Sequence, residues 1–415
     1  MDNLGERIKQ LRKQKKRTLA DIAGNRISVS MLSLIENNKS TPSMETLSYI
    51  AESLGINVSE LVSDENNNLT EQLWERIDDI VSTDGFNNPE LSELIELNLD
   101  QISKSVYGAK IFKIYAYLQV IKKDQELSQY YIKKAEDIYM SYGMMSQVLE
   151  TRVDMAMFQF ANNNYRQSLE MLIDIKKNTD NETYLVDNQS FNIRILYLLG
   201  SLYAANGNLE FAKQYLDESA NLASQTGDFS TTSETYKMRN LISIFENDFD
   251  TYKAYIKKLD LLVKLTNKKE YKFSLYFSKM SYEYLINNDP LRILGLYESY
   301  KYELKYDGKI TEKIYNTYMN LMVGIAYFML EEYERALSYF QLINTNLPLA
   351  NHPIDVCMRS ELEAYKARIY QIQGDAEKAL KHSEIATNAT KNYPDNPYKK
   401  FIMQTYQDIK KGNLS

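Results

Sequence analysis

The 415-residue chain has little cysteine, histidine, proline or glycine. Its one cysteine, Cys357, excludes a framework of internal disulfide bonds. The two histidines, His352 in an expected loop and His382 on an expected helix surface, form no zinc cluster and no Cys/His pair with it. The glycines are isolated and make no phosphate-binding loop. We therefore expect no enzyme active site, no metal and no cofactor.

Long apolar runs are also missing, since none approaches the roughly 20 residues of a membrane span. The first residues are polar and charged, unlike a signal peptide, so we expect a cytoplasmic protein without membrane contact. Only seven prolines and fourteen glycines argue against many strands and tight turns. A hydrophobic content of 44% with 25% charged residues is typical of a soluble globular protein, and the length predicts more than one domain.

The stretch from Ile27 to Pro42, ISVSMLSLIENNKSTP, predicts a short helix suited to the major groove of DNA. Ser28 or Ser30 caps this helix, because a serine hydroxyl accepts a hydrogen bond from a free N–H of the first turn. Leu32 and Ile35 recur at helical spacing and face inward. The stretch is therefore interpreted as a recognition helix.

The flanking sequence predicts four further short helices, including one over 44–54 that ends at Gly55 and a fifth over Val58 to Val62. The order LRKQKKRTLADIA, SVSMLSLIEN and PSMETLSYIAESLGI resembles the helix-turn-helix of the Cro-type phage repressors, or XRE class, over about sixty residues. The resemblance implies a five-helix DNA-binding domain over 1–63, with an ion pair between Arg12 and Glu36.

The resemblance also implies which residues contact DNA. Together with the adjoining basic run, it indicates Lys16, Arg17, Thr18, Ser28, Val29, Ser30, Ser33, Leu34 and Lys39. Leu19 departs from the family, which usually has a glutamine there that contacts phosphate. Base contacts would then depend on small hydroxyl groups and methyl contacts, supported by a dimer and basic flanks.

Charge supports the same interpretation for one end of the chain. Residues 1–62 contain nine Lys or Arg and seven Asp or Glu, a net charge of +2. Since the whole chain carries −7, the remainder carries −9. An acidic body repels DNA, so we expect binding only at the amino-terminal end.

After this domain, the polar stretch 64–68 is interpreted as a linker. Two amphipathic helices, over 69–82 and 89–106, then predict a helical hairpin over 69–107 that joins the domains, with Trp74 in its core.

From residue 108 to 415 the sequence repeats in the manner of tetratricopeptide helix pairs. The clearest copies surround Gly200, Gly324 and Ala367, and looser ones centre on Ala156, Asn240 and Ser281. Small residues at such positions let two antiparallel helices approach closely. We expect an all-α chain in which seven to nine pairs stack into a right-handed superhelix with a concave inner surface.

A helix-turn-helix followed by such an array resembles the RRNPP family of peptide-pheromone receptors, and by length most of all its NprR type. The resemblance implies a short signalling peptide as ligand, homodimerisation through the repeats, and regulation of transcription. The first helix of each pair lines the concave face, where polar side chains satisfy a peptide main chain. The candidates there are Arg194, Tyr197, Lys237, Asn240, Tyr318 and Arg368.

Three alternatives remain open from the sequence. The array could capture a response regulator of a phosphorelay, as Rap proteins and the NprR type do. The chain could be an arbitrium-type receptor that controls lysis and lysogeny in a phage. It could also be a constitutive repressor whose repeats only dimerise. The sequence fixes neither the sign of regulation nor the operator.

Overall fold

A computed structural model describes residues 4–37, 39–40, 42–58, 61, 65–86, 88–180, 189–303, 310–343 and 351–412. Every regular element in these ranges is helical, which confirms the all-α fold. The chain forms two compact units, Met1–Phe158 and Gln159–Ser415. No described helix is long and apolar enough to cross a bilayer.

The first unit begins with four short helices around one small core. They are α1 (Leu4–Gln14), α2 (Leu19–Ala23), α3 (Val29–Glu36) and α4 (Met44–Leu54). Ile8, Ile22, Leu32 and Ile50 are fully buried at its centre. Of the predicted fifth helix, residues 59, 60 and 62 lie outside the described part of the chain, while Leu61 is helical and completely buried in this core.

The predicted linker over 64–68 is wrong, because a helix already begins at Glu65 and runs to Asp84 as α5. Glutamate and asparagine are polar without excluding a helix, so a polar stretch can form the first turn of one. The second predicted helix is shorter than expected. It spans Pro89–Glu96 as α6, and a 3₁₀ turn follows over Leu99–Gln101.

Helix pairs occupy the remainder of the described chain. The elements are α7 (Val106–Lys122), α8 (Gln125–Ser141), α9 (Met145–Ala161), α10 (Tyr165–Asp180), α11 (Gln189–Ala205), α12 (Leu209–Thr226), α13 (Thr232–Glu246), α14 (Phe249–Thr266), α15 (Lys269–Tyr282), α16 (Pro290–Glu303), α17 (Ile310–Met329), α18 (Tyr333–Gln341), α19 (Pro353–Ile372), α20 (Ala376–Thr390) and α21 (Pro397–Gly412). A π-helical segment, Glu283–Asn287, extends α15. A helix pair is present at each of the six repeat copies located in the sequence, around Gly200, Gly324, Ala367, Ala156, Asn240 and Ser281.

Two glycines show why these pairs pack closely. A Cβ atom at Gly200 of α11 would lie 2.7 Å from Leu216 Cγ of α12, and one at Gly324 of α17 would collide with the ring of Phe340 in α18. The first helices α13, α15, α17 and α19 also pack successively against one another. They form a continuous layer within the second unit.

Candidate functional site

Helix α3 separates cleanly into an inner and an outer face. Ser28 caps it, because its hydroxyl accepts a hydrogen bond from Met31 N at 3.1 Å. Leu32 and Ile35 are buried in the core. Val29 and Leu34 lie on the other side and are 47% and 46% exposed. The helix therefore presents an apolar and hydroxyl-bearing face to solvent.

A nearly buried ion pair anchors the end of α3 to α1, as predicted. Arg12 donates to Glu36 through Nε at 2.6 Å and through Nη2 at 2.7 Å. The hydrogen bond with Glu36 raises the pKa of Arg12. Arg12 Nη1 also donates to the carbonyl of Arg17 at 3.0 Å. This arginine therefore holds the basic connection between α1 and α2 beside α3.

That connection exposes its cationic side chains. Lys16 and Arg17 are exposed, and Lys16 adopts a left-handed backbone with φ of +53°. Thr18 then caps α2 in a reciprocal arrangement with Asp21, with hydrogen bonds of 2.7 and 3.1 Å. The bond from the Thr18 N–H lowers the pKa of Asp21. Thr18 thus fixes where α2 begins and how the preceding basic residues are presented.

Eight of the nine predicted DNA-contacting residues are exposed, and Ser33 is partly buried. Leu19, the departure from the family pattern, packs partly buried against the core. Tyr49 of α4 braces the turn after α2, because its hydroxyl donates to Ala23 O at 3.0 Å while Arg26 lies over its ring. Sequence reasoning missed this brace.

In the second unit, three of the predicted peptide-contacting residues share one electrostatic environment. They are Tyr197 of α11, Lys237 of α13 and Tyr318 of α17. Burial lowers the pKa of Lys237, but the charges of Glu234 and Asp355 outweigh it and give a net rise. Burial and the same two carboxylates also raise the pKa of Tyr197 and of Tyr318. Lys237 forms an ion pair with Glu234.

Aromatic rings adjoin this charged cluster. Phe273 of α15 stacks on Tyr315 of α17, with their ring centroids 4.0 Å apart, and Lys237 lies 5.4 Å from the centroid of Phe273. Arg359 of α19 donates to the hydroxyl of Tyr318 at 2.9 Å. We call Tyr197, Glu234, Lys237, Phe273, Tyr315, Tyr318, Asp355 and Arg359 the inner cluster. All of its members lie on first helices of pairs.

The other predicted peptide contacts lie elsewhere. Asn240 is completely buried, and its amide donates to Ser278 at 3.4 Å, so it belongs to the core between α13 and α15. Arg368 donates to Thr405 of α21 at 2.8 Å and lies over the ring of Phe401. Arg194 is partly buried on α11. Sequence reasoning missed Glu234, Asp355 and Arg359, although each is three or four residues from an oppositely charged residue on its own helix.

A second group of polar residues lies deeper, where α19 meets the π-helical segment and α21. Glu361 is completely buried, and its Oε1 accepts a hydrogen bond from the Tyr284 hydroxyl at 2.7 Å. The hydroxyls of Tyr284 and Tyr365 are 3.0 Å apart. Burial raises the pKa of Glu361 to about 8. No sequence pattern had indicated this carboxyl group.

The histidines and the cysteine have structural positions. His352 is buried and caps α19, with Nδ1 accepting from Ile354 N at 3.2 Å. His382 pairs with Glu363 and stacks on Tyr370. Burial raises the pKa of the Cys357 thiol to about 11. Among the residues that the structure describes, no group of three His, Cys, Asp or Glu side chains could hold a metal ion.

Residues 5–67 match a family model described as a helix-turn-helix domain. This match covers the α1–α4 domain and the start of α5, where the recognition helix, its cap and its ion pair lie. No curated protein matches the chain in sequence.

Several solved structures align with this chain. PlcR of Bacillus thuringiensis, crystallised with a peptide and DNA, is 16% identical over 69% of this chain and 100% of its own, with a TM-score of 0.42. A tetratricopeptide repeat protein of Parabacteroides merdae is 14% identical over 73% and 98%, with a TM-score of 0.46. The pheromone receptor Rgg2 of Streptococcus dysgalactiae is 15% identical over 72% and 100%, with a TM-score of 0.29. A particular likeness to the NprR type stays a prediction. The chain thus matches a helix-turn-helix domain at residues 5–67, and helix pairs follow it along the described chain.

Proposed function

We propose that this protein is a transcriptional regulator that binds DNA through α3 and is switched by a short peptide bound at the inner cluster. The exposed outer face of α3 is the observation that carries the proposal. A homodimer would place two such helices on half-sites about 34 Å apart, one turn of DNA.

Support for DNA binding comes from the cationic side chains that the domain leaves exposed. Arg12 forms an ion pair with Glu36 inside the domain, whereas Lys16, Arg17 and Lys39 remain exposed. Cations in these positions neutralise phosphates and release counterions, while the groove-facing side chains contact base edges.

Support for a peptide ligand comes from the chemistry of the inner cluster. An extended peptide has N–H and C=O groups that need partners once they leave water. The inner cluster offers carboxylates, an ammonium group, a guanidinium group and tyrosine hydroxyls, with rings to cover apolar side chains. Its members come from five successive first helices, α11, α13, α15, α17 and α19. A ligand that bridges these helices favours one arrangement of the pairs, and it shifts the population by its difference in affinity for the two arrangements.

The DNA-binding proposal is tested by mobility shift of the full chain on its own upstream region at several salt concentrations. The double variant Lys16→Ala/Arg17→Ala should bind more weakly, and the slope of log K against log[salt] should fall by about 2. Lys264→Ala, an exposed lysine on α14, is the matched control and should leave both quantities unchanged. Equal slopes for the two variants would contradict the proposed phosphate contacts.

The peptide proposal is tested by titration calorimetry with synthetic peptides encoded by small secreted reading frames beside the gene. Lys237→Met should weaken binding at least tenfold, because it removes the only ammonium group of the inner cluster. Lys301→Met, which removes a lysine paired with Glu298 on α16, is the control. Peptide binding that Lys237→Met leaves intact would place the ligand elsewhere.

A further inference from the structure

We propose that Val29 and Leu34 recognise the C5-methyl groups of thymine in the major groove, so that methyl groups set the sequence preference. This inference rests on the proposed DNA-binding function and specifies its ligand. The relevant chemistry is a methyl group at C5 of a pyrimidine, which marks thymine in the major groove.

The outer face of α3 is built from four residues, and its two bulkiest are apolar. Val29, Ser30, Ser33 and Leu34 fall within an arc of about 140° on the helix, given 3.6 residues per turn. The opposite arc holds Leu32, Ile35 and Glu36, which are buried. Leu32 and Ile35 occupy the core, whereas Val29 and Leu34 lie outside it with nearly half of each residue exposed to solvent.

The same face has little capacity to recognise bases by hydrogen bonds. Bidentate recognition of guanine uses Arg or Lys, and that of adenine uses Asn or Gln. None of these residue types occurs in Val29–Glu36. The hydroxyl of Ser30 lies 3.0 Å from that of Ser28, which already caps the helix, and the amide of Asn37 donates to Ser33 O at 2.7 Å. Contacts with methyl groups are therefore the strongest means by which this helix can distinguish one base from another.

The surroundings identify the occupant of this face as DNA rather than an apolar protein surface. Lys16, Arg17 and Lys39 are exposed in the same small domain, and they complement the charge of phosphates rather than an apolar partner. Val29 and Leu34 are five residues apart, roughly 7.5 Å along the helix axis. That separation is about two base-pair steps of 3.4 Å.

A consequence follows for modified DNA. 5-Methylcytosine carries its methyl group at the same ring position as thymine. The protein should therefore accept 5-methylcytosine in place of thymine better than it accepts cytosine.

The test begins by selecting duplexes from a random 30-base-pair library with the full-length protein. In the selected duplex, each thymine is replaced singly by deoxyuridine, which removes only the methyl group. We expect a loss of about fourfold in affinity at each of two thymines per half-site, because each replacement buries one methyl group fewer in the complex. Replacing those thymines by cytosine should weaken binding further, and 5-methylcytosine should restore part of it.

The variants Leu34→Ala and Val29→Ala show which side chain contacts which methyl group. Both side chains are exposed, so their truncation leaves the core intact. Leu34→Ala should abolish the difference between thymine and deoxyuridine at one position and keep it at the other. If deoxyuridine binds as well as thymine everywhere in a selected duplex, the methyl inference is wrong while DNA binding stands. If no duplex is selected, the proposed function fails and this inference fails with it.

Discussion

The two units each bury a glutamate, and they stabilise it in opposite ways. Glu36 in the helix-turn-helix domain is 3% exposed and meets the guanidinium group of Arg12 in a bidentate pair. Glu361 in the helical array is completely buried, and its described partner is the hydroxyl of Tyr284. One carboxyl group lies beside a cation, whereas burial raises the pKa of the other to about 8, so that group holds a proton at neutral pH.

The difference suits the proposed roles of the two regions. A bidentate ion pair fixes both distance and angle, so α1 and α3 keep one relative position whether or not DNA is present. A protonated carboxyl group among tyrosine hydroxyls is held by fewer and weaker bonds. Helix α19 also carries Asp355 and Arg359 of the inner cluster.

The largest loss of stability at a fixed pH should come from removing the cation of the first pair. Arg12→Ala leaves Glu36 buried without its partner, and we expect the helix-turn-helix domain to lose about 3 kcal/mol of stability. Hydrogen exchange of α1 and α3, followed by mass spectrometry, measures this loss locally. Lys13→Ala, an exposed residue on the same helix, is the control. An Arg12→Ala domain as protected as the control would show that the pair contributes nothing.

Glu361→Gln should remove a dependence of stability on pH. Burial raises the pKa of Glu361 from 4.5 to about 8, so between these values the folded chain keeps a proton that the unfolded chain has released. Stability of the second unit should therefore fall as pH rises through this window, by about 1.4 kcal/mol per pH unit, and level off above it.

Urea unfolding at pH 5, 6, 7 and 8, followed by circular dichroism, measures this slope for each protein. The wild type should lose stability relative to Glu361→Gln as pH rises. The exposed Glu377→Gln on α20 should follow the wild type. Parallel curves for wild type and Glu361→Gln would mean that the buried carboxyl group does not hold a proton.

Tyr284→Phe removes the hydrogen bond that the Tyr284 hydroxyl donates to Glu361. We expect a loss of about 1 to 2 kcal/mol, because the carboxyl oxygen stays buried without its donor. Since the Tyr284 hydroxyl lowers the pKa of Glu361, its removal should move the pH transition upward. The same urea series measures both effects, with the 86% exposed Tyr302 changed to Phe as control. An unmoved transition would exclude Tyr284 as a partner of the carboxyl group.

The smallest effect should come from Thr18→Ala, which removes the cap of α2. The loss should be about 1 kcal/mol and confined to the helix-turn-helix domain. Thr18→Ser keeps the hydroxyl and should behave like the wild type. Local hydrogen exchange of α2 distinguishes the two variants, and equal protection in both would show that the capping bond does not stabilise the helix.

Much of the fold follows from local sequence. Capping serines and threonines mark where α2 and α3 begin, and small residues such as Gly200 mark where paired helices touch. The ion pair of Arg12 and Glu36 could be predicted only because the resemblance to phage repressors supplied the pairing. The error over 64–68 has a simple cause, since Asn and Glu in a row suit a linker and a helix equally well.

The candidate sites were harder to predict, because their members come from distant parts of the chain. Tyr284 and Glu361 are 77 residues apart, and no local pattern joins them. Asn240 was expected on the inner surface with Lys237, one turn earlier on α13. Lys237 meets Glu234 and Phe273, whereas Asn240 turns to Ser278 in the core. The boundary between the inner surface and the core runs between neighbouring turns, and only the packing of α13 against α15 decides it.

We propose that peptide binding in the array and DNA binding at α3 are linked. The most direct test measures the affinity of the full-length protein for its upstream DNA with and without saturating peptide, and the affinity for peptide with and without that DNA. Linkage requires both affinities to change by the same factor, which we expect to be at least fivefold. If the affinity for each ligand does not depend on the other ligand, the proposed linkage is wrong.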